Sequence, residues 1–177
     1  MKASSYWTSL SSLSGFVYYF LVLAEIKEKK IAELKYKKYI VTDIKLPEDI
    51  QQRNAEYSKR ATRIAWLDEK VVESAFSVIC SWYWKSTEEE GTPLHRHDYD
   101  EVLGFFGSGP QNPRDLNGEV EFWLADEKYI LKESCLIYIP RDLQHCPLRV
   151  LKADKPIFFL AISLSGKYYK LFDSLKK

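Results

Sequence analysis

The histidines of this chain are few, and their spacing is that of metal ligands. There are only three, and two of them, His95 and His97, are separated by one residue. On an extended strand such residues project from the same face about 6.5–7 Å apart, so both imidazoles can reach one ion at about 2.0–2.1 Å. Glu101 has the same parity, and His145 would arrive from a distant segment. The pattern predicts that these four residues hold one divalent transition metal.

Each of these residues alone has an ordinary explanation. A single histidine is most often a surface or hydrogen-bonded core side chain, and a single glutamate is most often solvated. Here an alternating histidine pair, a glutamate at a fixed offset and a third histidine five residues after Pro140 occur in one chain. The combination favours a metal site over four unrelated side chains.

Aromatic side chains near the predicted ligands could line a substrate pocket. Trp82 and Trp84 share one face of a predicted strand, and Phe105 has the parity of the glutamate ligand. An aromatic stripe at strand spacing is also typical of ordinary barrel core. The sequence leaves both interpretations open.

Three further residues flank the ligands. Tyr99 has the inward parity between two of them and is a weak candidate for a catalytic proton donor, although a tyrosine near a site is more often a packing residue. Arg96 and Arg141 could meet a substrate carboxylate. Their parity places both outward if the strands are regular, so we do not assign them to the site.

The cysteines indicate a reducing compartment. Cys80, Cys135 and Cys146 are odd in number and lack the C-x-x-C spacing of a zinc knuckle or redox pair. We therefore expect a cytoplasmic protein. Cys146 directly follows the third histidine and suggests an additional thiolate ligand, but successive strand residues face opposite sides. The expected role of Cys146 is a buried structural thiol.

Most of the chain after residue 60 consists of short β-rich runs separated by turn residues, which is typical of an all-β sandwich or barrel. The runs are residues 63–67, 76–84, 101–106, 119–124, 128–131, 135–139, 145–151 and 157–164.

The alternation within one run supports an antiparallel sheet. Val120, Phe122 and Leu124 share one face, and Glu119 and Glu121 share the other, as a half-buried strand requires. The preceding segment, residues 107–118, is polar and rich in proline, glycine and asparagine, and we expect it to form a long loop near the site.

Composition limits the classes of function. The 177 residues suit one domain, and 46% hydrophobic and 15% aromatic residues indicate a folded core. The formal net charge is only +1, so no overall positive field is present to recruit a polyanion. We expect neither nucleic acid nor a membrane as a partner.

The N-terminal segment has three possible interpretations. Residues 3–24 carry no charge and end in an apolar run. A signal peptide cleaved after Ala24, a membrane anchor and an extra helix all remain open, and the serines dilute the apolar stretch that an anchor needs. We favour the extra helix because the rest of the chain has the features of a cytosolic protein. Residues 25–38 are rich in lysine and glutamate and predict a solvated helix. We therefore divide the chain into an N-terminal extension, helical or signal-like, at 1–38 and a domain at 39–177.

The first histidine segment resembles the first motif of the cupin superfamily, G-x5-H-x-H-x3-4-E-x6-G. His95, His97 and Glu101 stand at the motif's spacing. The opening glycine is displaced to Gly91, and the closing glycine position holds Ser108, which lies between two glycines. The ligand positions match and the turn positions depart from the pattern.

The second segment resembles the second cupin motif, G-x5-P-x-G-x2-H-x3-N. Pro140 and His145 match it, while Ser134, Asp142 and Arg149 stand where the family has Gly, Gly and Asn. Aspartate tolerates turn conformations better than most residues, so it is an acceptable replacement for the second glycine.

The resemblance covers residues 76–163 and is nearest to small single-domain metal-binding cupins of bacteria and archaea that are themselves uncharacterised. It implies an all-β double-stranded β-helix, or jelly-roll barrel, with the ion inside the barrel mouth and a motif core at 76–164. It also implies a homodimer, because small cupins pair through N-terminal strands, and residues 39–44 offer a β-rich edge for this.

Three imidazoles and one carboxylate would leave two neighbouring positions open on an octahedral ion. This suits Fe(II), Mn(II), Ni(II) or Co(II), with Zn(II) possible. A hydroxy acid, keto acid, catechol or diol could chelate there, or dioxygen could take one position on Fe(II). The sequence thus predicts an enzyme that isomerises, decarboxylates, cleaves or oxygenates a small oxygen-rich metabolite. The alternative is a non-catalytic cupin module that binds or senses a small ligand.

Overall fold

The computed structural model describes residues 19, 21–23, 34–86 and 92–165. Gly91 and most of the segment before residue 34 lie outside these residues, as do the predictions made for them. The chain divides into two compact units, Met1–Ile40 and Val41–Lys177. In the described part of the chain, no helix has the length and apolar character needed to cross a membrane.

The helical content of the described residues is small. A 3-10 helix spans Lys37–Tyr39, and helix α1 spans Glu48–Ser58 directly after Pro47. Two acidic residues in the first turn of α1 stabilise the helix, because its N-terminal end carries a partial positive charge. The strand expected at residues 39–44 is wrong, because residues 40–46 have no regular secondary structure. β-branched residues favour a strand only where a neighbouring strand pairs with them.

Eight strands form the rest of the fold, in agreement with the all-β prediction. Their bounds are β1 Ala61–Leu67, β2 Ser77–Tyr83, β3 Glu101–Gly107, β4 Asp115–Leu124, β5 Glu127–Glu133, β6 Cys135–Ile139, β7 His145–Ala153 and β8 Ile157–Ser163.

The strands make two antiparallel sheets. The larger has the order β1-β2-β8-β3-β6, and the smaller has the order β5-β4-β7. Strands distant in the chain are neighbours in both sheets, which is the connectivity of a jelly roll. Side chains from both sheets form one buried core, whose largest fully buried members include Trp66, Phe105, Leu116, Phe122, Ile139 and Ile157. The sheets therefore supply a rigid frame around the site.

Strand β4 starts earlier than the sequence indicated. The long loop expected at residues 107–118 is shorter, since β4 begins at Asp115 and buries Leu116 completely. The turn-like composition reflects an irregularity inside the strand, where Asn117 has a φ of 49° and the pairing register shifts. Further along β4, Val120 and Phe122 are buried as predicted.

Candidate metal centre

A short backbone bridge joins the two histidine segments. The His95 N–H donates to the His145 carbonyl at 3.1 Å, and the His145 N–H donates back to the His95 carbonyl at 2.9 Å. His145 begins β7, so the bridge fixes the first segment to the smaller sheet. Two ligand candidates that lie far apart in sequence are therefore direct cross-strand neighbours.

The larger sheet supplies the carboxylate. Glu101 begins β3 and pairs with Ser163 at the end of β8. The Ser163 hydroxyl donates a hydrogen bond to Glu101 Oε1 at 3.2 Å, which leaves Oε2 facing the histidines. Ser163 was not identified from the sequence, because a serine at the end of an apolar strand carries no signal of its own.

The four predicted ligands meet in the interior. Glu101 Oε2 lies 3.3 Å from His145 Nε2 and 3.7 Å from His97 Nε2. The His95 ring centroid is 4.3 Å from that of His145 and 4.9 Å from that of His97. All four residues are at most 3% exposed. The structure thus brings together the residues that the sequence singled out.

Backbone carbonyls fix the tautomers of two histidines. Nδ1 of His95 lies 2.7 Å from the Pro93 carbonyl oxygen, and Nδ1 of His145 lies 3.0 Å from the Leu143 carbonyl oxygen. A carbonyl can only accept, so each Nδ1 carries the proton and each Nε2 presents a lone pair. This is the arrangement that orients metal-binding imidazoles in proteins.

The lone pair of His145 lacks a hydrogen-bond donor in the described part of the chain. Its Nε2 is buried without a hydrogen-bond partner among the described residues, and it faces the Glu101 carboxylate at 3.3 Å. Two buried acceptors this close repel each other unless a cation lies between them. Two ligand atoms about 2.1 Å from one ion are themselves about 3.0–3.5 Å apart. The residues therefore fit a divalent metal.

The potential donor atoms fall into two overlapping groups, each within 4.8 Å: His97 with Glu101 and His145, and His95 with His145 and Cys146. The expectation that Cys146 diverges from His145 is therefore wrong. Cys146 has a φ of 71°, and residues alternate between faces only in regular extended backbone.

Tyr99 lies against the site. Its ring stacks on the His97 imidazole with the centroids 4.5 Å apart and the planes 14° from parallel, and it is only 7% exposed. This contact restricts the rotation of His97. Tyr99 therefore acts at least as a packing support for a ligand.

The tryptophans do not line the site. The inner face of β2 carries its buried odd-numbered residues, among them Ser77, which pairs with Ser163. Trp82 lies on the opposite face and packs on Phe158, and Trp84 is 46% exposed. The prediction that these two tryptophans line a substrate pocket is therefore wrong.

Phe105 shares the inner face with Glu101, but it is a core residue. It lies four residues further along β3, about 13 Å away at strand spacing. It is completely buried and packs on Phe159 at 5.2 Å. Phe105 is therefore a core residue and not part of a substrate pocket.

The two flanking arginines point outward and meet aspartates. Arg96 lies 3.8 Å from Asp142, and Arg141 lies 3.4 Å from Asp100. The backbone N–H and guanidinium of Arg141 lower the pKa of Asp100. Both arginines are thus engaged on the outside of the site, as their parity predicted.

The positions that depart from the cupin motifs have clear structural roles. Asp142 has a φ of 65° at a family glycine position, and its N–H donates to the His97 carbonyl at 2.7 Å. Ser134, at the other glycine position, accepts the Gly107 N–H at 2.9 Å.

Arg149 stands at the asparagine position and binds Glu121 at 2.7 Å. Glu121 is only 7% exposed. Burial raises its pKa, but the hydrogen bonds from Trp123 and Arg149 outweigh that effect, so the pKa is lowered overall. Arg149 thus stabilises a buried carboxylate on β4 outside the site.

No family model and no curated protein matches the chain. Solved structures similar to it include KdgF from Halomonas sp., at 18% identity and a TM-score of 0.36, over 58% of this chain and 76% of that one. The cupin domain of Schizosaccharomyces pombe Cnp3 is 12% identical with a TM-score of 0.40, over 58% and 60% of the two chains. An oxalate oxidase in complex with glycolate is 13% identical with a TM-score of 0.43, over 64% and 55%.

The topology and the motif residues agree with each other. The two antiparallel sheets have jelly-roll connectivity, and both histidine segments lie where the sheets meet around Glu101. The chain has a jelly-roll β fold made of two antiparallel sheets.

Proposed function

We propose that this protein is a metal-dependent cupin enzyme that acts on a small acidic or hydroxylated metabolite. The observation that carries the proposal is the buried His145 Nε2, which lies 3.3 Å from the Glu101 carboxylate and has no hydrogen-bond partner among the described residues. A divalent ion held there would polarise a substrate oxygen as a Lewis acid. The reaction would be an isomerisation, decarboxylation, lyase or oxygenation step.

The proposed ligands are His95, His97, Glu101 and His145. Their donor set suits Fe(II), Mn(II), Ni(II) or Co(II), with Zn(II) possible. The carbonyls behind the His95 and His145 imidazoles and the Ser163 hydroxyl behind the Glu101 carboxylate restrict the orientation of these three side chains. Burial of these groups excludes bulk water and strengthens their electrostatic effect on a bound substrate.

The substrate class follows from the donor count. Four protein donors leave two neighbouring positions on an octahedral ion, and a hydroxy or keto acid fills both with its two oxygens. Tyr99, buried beside His97, is the residue we propose to hold or donate a proton during the reaction.

Ligand binding by the metal-loaded protein tests this proposal. We expect lactate to raise the melting temperature of the Co(II)- or Zn(II)-loaded protein more than propionate does at equal concentration, because only lactate can chelate. With the metal removed, the two acids should behave alike. Equal effects on the loaded protein would contradict a chelating site. Acids that chelate the bound metal but are never converted to a product would favour the non-catalytic binding module.

We also propose that the protein is a homodimer that pairs through the outer face of its larger sheet. Leu136, Tyr138 and Leu164 are each more than 60% exposed there, and Trp84 is 46% exposed. Large apolar side chains exposed together on one sheet face favour a protein–protein interface, because such patches are uncommon on monomers.

Light scattering over a concentration series would measure the state of association. We expect a dimer for the wild type and a monomer for Leu136→Glu, since a buried unpaired charge at the centre of an interface is strongly unfavourable. Thr42→Glu, an exposed change outside this face, serves as the control. A wild-type protein that stays monomeric throughout the series would refute the dimer.

We place the protein in the cytoplasm, because an odd number of thiols cannot all pair within one chain and suits a reducing compartment. We assign the proposed activity to the domain at 39–177 and treat 1–38 as an extension.

A further inference from the structure

Strand β7 contains a bulge immediately after its metal-ligand candidate. His145 pairs with Leu124 on β4, whereas Leu148 pairs with Phe122, so three steps on β7 face two steps on β4. The extra residue lies within the pair Cys146 and Pro147. Bulges occur preferentially beside functional sites, where they turn a side chain away from the direction that regular alternation would give it.

The bulge turns Cys146 toward the same region as the preceding histidine. Its φ of 71° lies in the left-handed region, which a residue other than glycine adopts at a cost in strain. The thiol is 3% exposed. Its sulfur lies within 4.8 Å of the potential ligand atoms of His95 and His145, which also lie that close to each other.

A second observation points to a ligand at this position. The Nε2 of His145 is buried without a hydrogen-bond partner in the described part of the chain, and His145 belongs to both groups of potential donors. The Glu101 carboxylate in the first group is a hard ligand, and the Cys146 thiol in the second is a soft ligand that favours thiophilic metals.

We propose that Cys146 is an additional ligand of the metal, bound through its sulfur as a thiolate. The inference rests on the metal centre of the proposed function and narrows the metals it accepts. When the sulfur–metal bond forms, the thiol proton passes to solvent and no atom changes oxidation state. Sulfur and nitrogen donors at about 2.3 and 2.0 Å from one ion lie about 3.0–3.6 Å apart. The donor atoms lie no more than 4.8 Å apart, so side-chain movements of at most about 1–2 Å bring them to these distances.

The consequence is a preference among metals. A donor set of imidazoles, one carboxylate and one thiolate favours Fe(II), Co(II), Ni(II) and Zn(II) over Mn(II), which prefers oxygen ligands. A thiolate also fills one of the two positions that the four-ligand set leaves open, so a chelating acid would displace the sulfur to bind through both oxygens. If Cys146 were only a core residue, none of these properties would depend on it.

Cobalt(II) titration of the whole protein tests the inference. A thiolate bound to Co(II) gives a sulfur-to-metal charge-transfer band in the near ultraviolet, whereas imidazole and carboxylate ligands alone give only the weak visible bands. We expect the band in the wild type and its loss in Cys146→Ser, with the visible bands retained. Cys80→Ser and Cys135→Ser are matched controls that should keep the band, since neither thiol belongs to a group of potential ligands among the described residues. We also expect the preference for Zn(II) over Mn(II) to fall at least tenfold in Cys146→Ser and to stay unchanged in both controls.

The outcomes separate this inference from the proposed function. A wild type that binds Co(II) with the visible bands alone overturns the thiolate ligand and leaves the metal centre in place. A wild type that binds no Co(II) overturns both. If Cys146→Ser fails to fold, X-ray absorption of the Zn(II)-loaded wild type decides. A sulfur neighbour at about 2.3 Å supports the inference, and a shell of nitrogen and oxygen alone at about 2.0–2.2 Å overturns it.

Discussion

His97→Ala is expected to lose its metal at neutral pH, whereas Glu101→Gln should keep part of it. His97 supplies a neutral nitrogen donor from the interior, and removing the ring leaves a gap that a methyl group cannot coordinate. Removal of a direct ligand should weaken binding by more than the roughly 10–100-fold typical of losing a group that only orients a ligand. In Glu101→Gln the amide oxygen can still coordinate but brings no charge, so affinity falls less.

Metal retained after dialysis measures this difference. Ser163→Ala is the control for an indirect effect, because Ser163 only donates a hydrogen bond to the carboxylate. This substitution should weaken metal binding by about 10–100-fold. Any metal-dependent reaction should suffer more than binding does in Glu101→Gln, since the carboxylate tunes the charge of the ion and the acidity of its bound water. Equal retention by His97→Ala and the wild type would contradict the assignment of His97.

Chelator is expected to lower the melting temperature of the wild type by roughly 10 °C and to change that of His97→Ala little. An ion bound only by the folded state adds about 4 kcal/mol to the free energy of unfolding at a free concentration 1,000 times its Kd. For a domain of this size, each kcal/mol corresponds to about 2–4 °C. The wild type without metal should melt close to the variant.

Scanning calorimetry with and without chelator gives both curves. Metal content must be measured on the same samples, because the test requires that the ion was removed. If removal of the metal leaves the wild-type melting temperature unchanged, the ion does not contribute to stability. That result would contradict the assignment of the four residues as its ligands.

The predicted ligand set could be read from the sequence because strand parity is a strong constraint. His95, His97 and Glu101 share parity, and the structure brings all three together with His145. The strand pattern also identified the all-β fold, since alternation on β4 required one buried face. The alternation on β4 depends on the two-residue repeat of an extended chain, whereas His145 was assigned to the set by the two-part motif pattern.

The same rule failed where the backbone is not extended. Cys146 was expected to face away from His145, but a bulge and a left-handed φ turn it toward the site. Asn117 similarly interrupts β4 and made its first residues resemble a loop. The bulge at Cys146 has no glycine to mark it, whereas the Asn117-Gly118 pair resembled a loop turn and concealed the start of β4.

The tryptophan error has a different cause. On β2 the inner face carries two serines, Ser77 and Ser81, whereas the outer face carries Trp82. Hydrophobicity alone therefore assigns the wrong face to the core. An outer face that is apolar breaks the usual pattern, and the pairing of β2 with β8 was needed to orient the strand.

The central claim is that the four residues bind one divalent metal, and elemental analysis of the anaerobically purified protein tests it most directly. The predicted result is one Fe, Mn, Ni, Co or Zn ion per chain in the wild type, either as isolated or after titration. Loss of that ion in His97→Ala would assign it to this site. A wild-type protein that carries no metal and takes up none of these ions on titration would contradict the metal centre and the function built on it.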